Sequence, residues 1–456
     1  LREPDLARAG ELVEVLVLHR IVEARDERGL RADALAFEHR AAVLERLARA
    51  VEGVEVVELD VAPAQLVGRA ARHRATLLVP VLRVRRATVN NLKTRMYEKQ
   101  IREIQQILRN WYEINKRNLP WRETNDPYEI WISEIILQQT RVNQGYDYYL
   151  RFIERFPNLE SLASADEEDV LKIWQGLGYY TRARNLHKAA KLILKDFSGE
   201  FPNQFENILK LPGIGSYTAS AICSFAFHQN YAVLDGNVFR VLARLNGIFT
   251  PIDSSEGQKE FSQLAKVFLD KSHSNIHNQA IMEFGAMQCV PNNPDCENCP
   301  LNTFCEAFKQ HIVELLPTKK NKTKVSNRYF NYFFVLKDDF TFLQKRTKKD
   351  IWQNLYEFPL IETTEKMELI DLMLTEKYHD IFENISNIQF KNQIFETKHI
   401  LSHQIIFARF YTIIIDNENN SFQAMKKIKI DEFDSIAVSK LTENFLTQLS
   451  EKILCR

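Results

Sequence analysis

Cysteine is scarce in this 456-residue chain, and most of what there is falls in one place. There are six, too few to staple a small secreted fold. Four of them lie within seventeen positions, a density that reads as metal binding in a reducing compartment. Excess charge is missing too. Sixty basic side chains balance sixty acidic ones, so any nucleic-acid surface must be a local patch rather than an all-round basic coat. No uninterrupted apolar run approaches the ~18 residues of a membrane span. The first residues lack the basic start, apolar stretch and small-residue cleavage site of a secretory signal. These absences point to a cytoplasmic protein with no membrane partner. At 45% hydrophobic and 26% charged residues, the remainder is ordinary globular material, not disordered or collagen-like. A length prior of about 150 residues per domain suggests about three domains.

Lysine is absent from residues 1–90, which hold fifteen Arg, sixteen Ala, one Ile, one Phe and no Trp, Tyr, Met or Cys. The rest is rich in Lys, Ile, Asn and Phe. Met96 opens the segment that is coherent onward, so residues 1–95 read as an atypical N-terminal extension, a fusion or a gene-model artefact. The other reading is a small α/β module, with helix-like Ala32–Ala50 and strand-like Val51–Val61. From Met96 to Leu316 the pattern is helical: Ile101, Ile104, Ile107, Leu108, Trp111 and Tyr112 recur at helix spacing. Ser164 is a candidate N-cap, with Asp166-Glu167-Glu168 in the first turn before Val170–Trp174. The polar, basic stretch Thr318–Asn327 reads as a linker. Beyond it, Tyr329–Lys337, Phe340–Gln344 and Ile405–Ile415 are short β-branched and aromatic runs. Lys426–Ile430 is a weaker strand, and Lys366–Leu374 and Lys440–Ile453 are helical. The expected fold is multidomain, an all-α core followed by an α+β domain.

Three features in the helical part carry chemistry. The first is Cys289-x6-Cys296-x2-Cys299-x5-Cys305, kept from forming a helix by Pro291, Pro294 and Pro300; four thiolates in one irregular segment suit either tetrahedral zinc or a [4Fe–4S] cluster. The second is Leu211-Pro212-Gly213-Ile214-Gly215 before Ser216–Ala221. Proline ends one helix, Gly213 and Gly215 allow a tight turn, and the next helix opens with free amides that suit a phosphate. This is a helix–hairpin–helix, which grips a DNA backbone without reading bases. No acid occurs between Asn207 and Leu234, and none within Val170–Lys195, which carries Lys172, Arg182, Arg184, Lys188, Lys191 and Lys195; basic charge is concentrated where the grip is expected. The third is a pair of acids. Glu134 is the one acid in the apolar helical stretch Trp131–Thr140, where burial would raise its pKa. Asp235 follows an apolar run and can N-cap Val238–Leu245. With a DNA grip, the pair fits cleavage of a glycosidic bond, one carboxyl acting as acid and the other steadying an oxocarbenium-like centre.

Residues 96 to about 450 resemble the adenine DNA glycosylases of the MutY family, within the helix–hairpin–helix superfamily that includes endonuclease III. The matching stretches are Leu119–Arg122 (LPWR), Ser133–Val142 (SEIILQQTRV), Gly176–Tyr180 (GLGYY), Leu211–Gly215 (LPGIG), Leu234–Asn237 (LDGN), Gln279–Cys289 (QAIMEFGAMQC) and the four-cysteine loop. The resemblance implies a [4Fe–4S] cluster on Cys289, Cys296, Cys299 and Cys305. It implies hydrolysis of adenine mispaired with 8-oxoguanine or guanine, after the base is flipped out of double-stranded DNA. On it, Glu134 is the proton donor to adenine, Asp235 steadies the cationic sugar, and Asn237 holds Asp235. Tyr217 stands where bifunctional relatives carry a Schiff-base lysine, so base removal without strand cleavage is expected. Gln138, Gln139, Thr140 and Tyr179 meet the duplex near the lesion, with Tyr179 as a stacking wedge. Arg122 and Glu283 line the adenine pocket, and Gln279 is a further residue expected to bind substrate or DNA.

The implied organisation is 96–316 as the glycosylase domain, 317–327 as linker and 328–456 as a Nudix-like domain for recognising 8-oxoguanine. Within the first, 118–226 is a helical barrel carrying the hairpin, and 96–117 joins 227–316 as the iron–sulfur half. In the Nudix-like domain His399–His403 (HILSH) has Leu401 where the family usually has Phe. Ser402 and His403 are the expected lesion readers. No acidic magnesium-binding box follows Pro359, so recognition without pyrophosphate hydrolysis is expected. The resemblance further implies a bacterial, nucleoid-associated monomer. Two other readings stay open: an endonuclease III-like glycosylase with lyase action, and a non-catalytic DNA-binding protein with a structural cluster.

Overall fold

The computed structural model describes residues 98–320 and 325–454. The helix and strand expected within residues 1–95 lie outside the described residues. The helical region runs α1 (98–115), α2 (Pro127–Leu137), α3 (Val142–Arg155), α4 (Leu159–Ser164), α5 (Glu167–Ile173), α6 (Thr181–Asp196), α7 (Phe205–Leu209), α8 (Ser216–Phe225), α9 (Gly236–Asn246), α10 (Ser255–Phe268), α11 (Ser274–Met287) and α12 (Glu306–Lys309). Local chemistry sets many of these ends. Asp126 accepts from the Tyr128 amide and Pro127 takes the first helical position of α2, where a missing N–H costs nothing. Asp235 accepts from the Val238 amide at the start of α9, and Gly247, at φ +64°, closes it. Ser164 is not an N-cap: it ends α4, while Asp166 stands at the N-cap position of α5 without a side-chain capping bond, and the first turn holds Glu167, Glu168 and Asp169. α2 stops at Leu137, so Gln138 and Gln139 lie just beyond it.

Two buried clusters organise the helices. One gathers side chains from Leu119 to Val233, including Trp131, Phe152 and Trp174, and continues into the strand-rich part. The other joins Ile101, Ile104, Leu108 and Tyr112 of α1 to Val238, Leu242, Phe261, Phe284 and Leu301. Glu134, on α2, and Asp235, at the head of α9, therefore belong to elements of different cores.

The strand-rich part contains β1 (Ser326–Lys337), β2 (Phe340–Lys345), β3 (Tyr356–Glu357), β4 (Leu360–Thr363), β5 (Ile388–Ile400), β6 (Gln404–Ile415) and β7 (Lys426–Lys429). They form one sheet in the order β3-β2-β1-β6-β5, with β4 also on β1 and β7 on β2. β1 and β6 pair in parallel from Ser326 opposite Gln404 to Leu336 opposite Ile414. β1 is covered on both faces. Phe330, Tyr332 and Phe334 enter one core, and Phe333 and Val335 enter another with Tyr378, Phe382 and Phe422; this is why its sequence is a continuous apolar run rather than an alternation. β1 starts at Ser326, inside the stretch expected to be linker, because its first residues pair with β6. The helix expected over Lys366–Leu374 is shorter, Leu369–Met373, and is followed by a second, Glu376–Phe382. The sequence reading did not include β5. It is an edge strand whose register shifts between Phe390 and Ile394, and a polar edge gives little period-two signal. Its hairpin with β6 presents Ser402 and His403 to solvent.

Phe410 is fully buried, stacked on Phe445 at 4.3 Å and on Tyr332 at 4.9 Å. Phe410→Ala is expected to destabilise the strand-rich part by about 3–5 kcal/mol, measured by urea unfolding followed through tyrosine and tryptophan fluorescence.

Candidate active site

α2 is buried on nearly every side, every residue from Ile130 to Ile136 included, and Glu134 is buried with it. The Tyr217 hydroxyl, one residue into α8, donates to Glu134 Oε2 at 2.8 Å. Burial pushes the Glu134 carboxyl up to about 7. The Tyr217 bond and the Arg122 charge pull the other way, and the nearby Asp235 adds to the rise. Asp235 accepts from the Val238 amide at 2.7 Å and from Asn237 Nδ2 at 2.7 Å. Burial pushes its carboxyl up too, opposed by those donors. The two acids thus sit within electrostatic reach in unlike settings: Glu134 has one donor, while Asp235 has two and the positive end of α9.

Arg122 and Glu283 are together. Arg122 Nη1 and Nη2 donate to Glu283 Oε1 and Oε2 at 3.0 and 2.7 Å, and Arg117 adds Nε and Nη2 donors at 2.8 and 2.6 Å. Burial alone would raise the Glu283 carboxyl, but the two guanidiniums hold it near 2. Gln279 lies beside this group and accepts from the Tyr112 hydroxyl at 2.5 Å. Arg122 also lies over the Tyr112 ring at 5.7 Å. Sequence reasoning did not assign Arg117 or Tyr112 to the site. Each lies more than 150 residues from its partner, and only tertiary contact reveals them.

The residues expected near the lesion form a second group. Gln138, Gln139, Tyr179 and Gly213 line one cavity of about 190 Å³ with Arg182, Asn185 and Pro212. Gln138 donates to Thr218 Oγ1, and Thr140 Oγ1 accepts from Arg182. Gln139 and Tyr179 have left-handed backbones, φ +55° and +49°, and Tyr179 is 41% exposed. Gly213, at φ +79°, has Asn185 Cβ only 2.7 Å from where its own Cβ would stand, so no other residue fits this hairpin without strain. Gly215 caps α8. The Tyr179 hydroxyl is hydrogen-bonded to Ser402 across the two parts of the chain. His403 is exposed, and its carbonyl accepts from the Ser326 amide.

The basic run in Val170–Lys195 is not one DNA patch. Lys172 donates to the Ile436 carbonyl, Arg184 to the Gln353 carbonyl, and Arg182 to carbonyls at the end of α2. Lys188, Lys191 and Lys195 alone are exposed. Free carbonyls at helix ends and turns accept from cationic side chains just as phosphate oxygens do, and sequence does not distinguish the two uses.

Cys289, Cys296, Cys299 and Cys305 surround one cavity. Among the described residues no three His, Cys, Asp or Glu side chains are set to hold a metal ion. Arg244, 3% exposed, donates to the carbonyls of Val290, Pro291, Val313 and Leu316 and reaches Cys289 Sγ at 3.5 Å. One turn earlier, Arg240 donates to the Cys289 carbonyl at 2.7 Å and to Asn237 Oδ1 at 2.9 Å.

A family model described as the HhH-GPD superfamily base excision DNA repair protein matches residues 132–266, and a NUDIX domain model matches 331–448. The adenine DNA glycosylase of Buchnera aphidicola subsp. Baizongia pistaciae is 37% identical over 314 residues, which cover 68% of this chain and 86% of that relative. This chain belongs to the adenine DNA glycosylase family. The adenine DNA glycosylase of Buchnera aphidicola subsp. Schizaphis graminum is 40% identical over 263 residues, 57% of this chain and 76% of the relative. A solved thermostable thymine-DNA glycosylase is 27% identical with a TM-score of 0.42, covering 46% of this chain and 98% of that one. By its family and its curated relatives, the chain is a base excision repair enzyme that removes adenine, with a strand-rich Nudix-like domain after its helical core. No helix among its described residues is long and apolar enough to cross a membrane.

The glycosylase's Glu134 sets a pH signature. Its folded-state pKa, near 7, exceeds the unfolded value. Its favourable contribution is therefore complete below about 4.5 and is lost as pH rises through 7. The stability of Glu134→Gln relative to wild type is expected to improve by about 3 kcal/mol between pH 5 and pH 9, read from urea unfolding at each pH.

Proposed function

We propose that this chain hydrolyses the N-glycosidic bond of adenine paired with 8-oxoguanine, or with guanine, without cutting the strand. The observation that carries the reading is Glu134: a buried acid with a pKa near neutrality, bonded to Tyr217 and within electrostatic reach of Asp235. In the proposed step the protonated Glu134 donates to N7 of a flipped adenine. The C1′–N9 bond breaks and its electron pair leaves with the base. The Asp235 carboxylate, steadied by Asn237 and the head of α9, balances the cationic sugar. A water then attacks C1′, and ionised Glu134 takes its proton. Arg122, Glu283 and Gln279 shape the adenine pocket. Tyr217 offers no amine for a Schiff base. Gln138, Gln139, Thr140 and Tyr179 enter the duplex, Gly213 and Gly215 grip its backbone, and Ser402 and His403 read the 8-oxoguanine. The chain acts as a monomer on double-stranded DNA.

The four cysteines would hold a [4Fe–4S] cluster. All four line one cavity of the irregular loop, and four thiolates are the donor set such a centre takes. When bound, the cluster supplies iron–thiolate bonds that fix the loop from Cys289 to Cys305. Arg244 and Arg240 tie that loop to α9, whose first turn carries Asn237.

Single-turnover release of adenine from an A·8-oxoguanine duplex tests the reaction. Glu134→Gln is expected to lower the rate about 10²–10⁴-fold, and borohydride is expected to trap no covalent adduct. Ser402→Ala with His403→Ala is expected to narrow the preference over A·G by several-fold, in keeping with one or two lost hydrogen bonds. Robust trapping would transfer the chain to the lyase class. Anaerobically purified protein is expected to absorb near ~400 nm, and stoichiometric zinc in its place would refute the cluster.

A further inference from the structure

Arg182 opens α6 beside the expected wedge, and its surroundings are unusual. Nη1 donates to the carbonyls of Ile135, Ile136 and Gln138 at 3.0, 2.8 and 2.5 Å and to Thr140 Oγ1 at 3.2 Å. Nη2 donates to the Gly178 carbonyl at 3.1 Å. The guanidinium plane lies 5.3 Å from the centre of the Trp174 ring and 5.6 Å from that of Tyr179. Nε is buried without a partner. The group is thus a desolvated cation held by carbonyl dipoles and ring faces, with more acceptors around one nitrogen than it has hydrogens. Burial draws the Arg182 pKa down to about 10. Burying a cation in this way is unfavourable, and an apolar side chain would fill the space more cheaply. Stability alone does not explain its presence.

Its placement does. Two of the carbonyls it holds, Ile135 and Ile136, lie in the last turn of α2 directly after Glu134, and the third, Gln138, caps that helix and opens the bend to Thr140. The Gly178 carbonyl immediately precedes Tyr179, and Tyr179 in turn is bonded to Ser402. A continuous series of contacts therefore runs from the Ser402 hairpin through Tyr179 and Arg182 to the helix that bears the acid.

We propose that Arg182 is a positioning residue, one guanidinium that closes the end of the Glu134 helix and holds the Tyr179 turn against it, so that entry of the wedge and placement of the acid are set together. The proposal rests on the reading of Tyr179 as wedge and Glu134 as acid given above. Lysine does not reproduce the contact, because a single ammonium cannot span both groups of carbonyls.

The test uses the full chain with its metal centre loaded. Wild type, Arg182→Lys, Arg182→Ala, Tyr179→Ala and the Arg182→Lys/Tyr179→Ala double variant are compared on A·8-oxoguanine duplex. Arg182→Lys is expected to keep a cooperative melt and its affinity for undamaged duplex within twofold, yet to release adenine at least tenfold more slowly under single-turnover conditions. The pH dependence is expected to stay unchanged, since Glu134 keeps its burial. The double variant is expected to be no slower than the slower single one. Methylguanidinium, and not methylammonium, is expected to restore part of the Arg182→Ala rate. An Arg182→Lys rate within twofold of wild type overturns the proposal, as do losses that multiply in the double variant. A lysine variant that no longer melts cooperatively assigns the residue to stability and overturns it as well. If wild type itself releases no adenine, the functional reading has failed and not this one alone.

Discussion

A carboxyl shut away from water, with no cation bonded to it, is the constraint on which the rest of the molecule depends. Glu134 is surrounded by the apolar side of α2, touched by one hydroxyl and near a second acid. A solvated glutamate would be ionised and useless as a proton donor at neutral pH. An isolated buried one would stay protonated and could not later accept a proton. Its setting holds it between these limits. Asp235 receives the opposite treatment, with two donors on its oxygens and a helix N-terminus behind it. Different surroundings thus give two chemically similar groups unlike electrostatic settings, as the proposed division of labour requires.

Arginines do much of the joining. Arg117 and Arg122 clamp Glu283 and keep it ionised. Arg240 and Arg244, one turn apart on α9, reach from the Asn237 side chain to the cysteine loop. The helix capped by Asp235, the acid proposed to steady the sugar, is thereby the same helix that is tied to the cysteine loop. Arg184 and Arg182 fasten α6 to the Nudix-like domain and to α2. Planar, multidentate donors suit carbonyl-rich turns, where a point charge would fix only one contact.

The Nudix-like domain is docked through its polar edges. Glu168, in the acidic first turn of α5, meets Lys345, Lys426 and Tyr356, and Gln175 accepts from the Val438 amide. These contacts bring the Ser402 hairpin to Tyr179. Within the domain, Arg346 pairs with Glu357 and Asp350, and Arg328 with Asp350 and Glu362.

Much of this was legible in one dimension. The helix-to-strand change, the central strands, the cap at Asp235, the hairpin glycines and the cysteine loop follow from rules that operate over a few residues. Those rules also located the two acids, since a lone carboxylate in an apolar run is conspicuous. The edge strand β5 was not legible, because its polar sequence and register shift erase the alternation that marks a strand. Nor was the helix start at Asp166, since Ser164 two residues earlier satisfies the same capping rule. What only the tertiary structure decided was partnership. It assigned Arg117 to Glu283, Tyr112 to Gln279, and Tyr179 to Ser402, and it turned Lys172, Arg182 and Arg184 inward instead of toward DNA. It also decided how far burial lifts the Glu134 carboxyl. The reason is physical: a residue's type and near neighbours dictate its backbone, whereas the energy of its charge depends on every atom brought close to it, most of them distant along the chain.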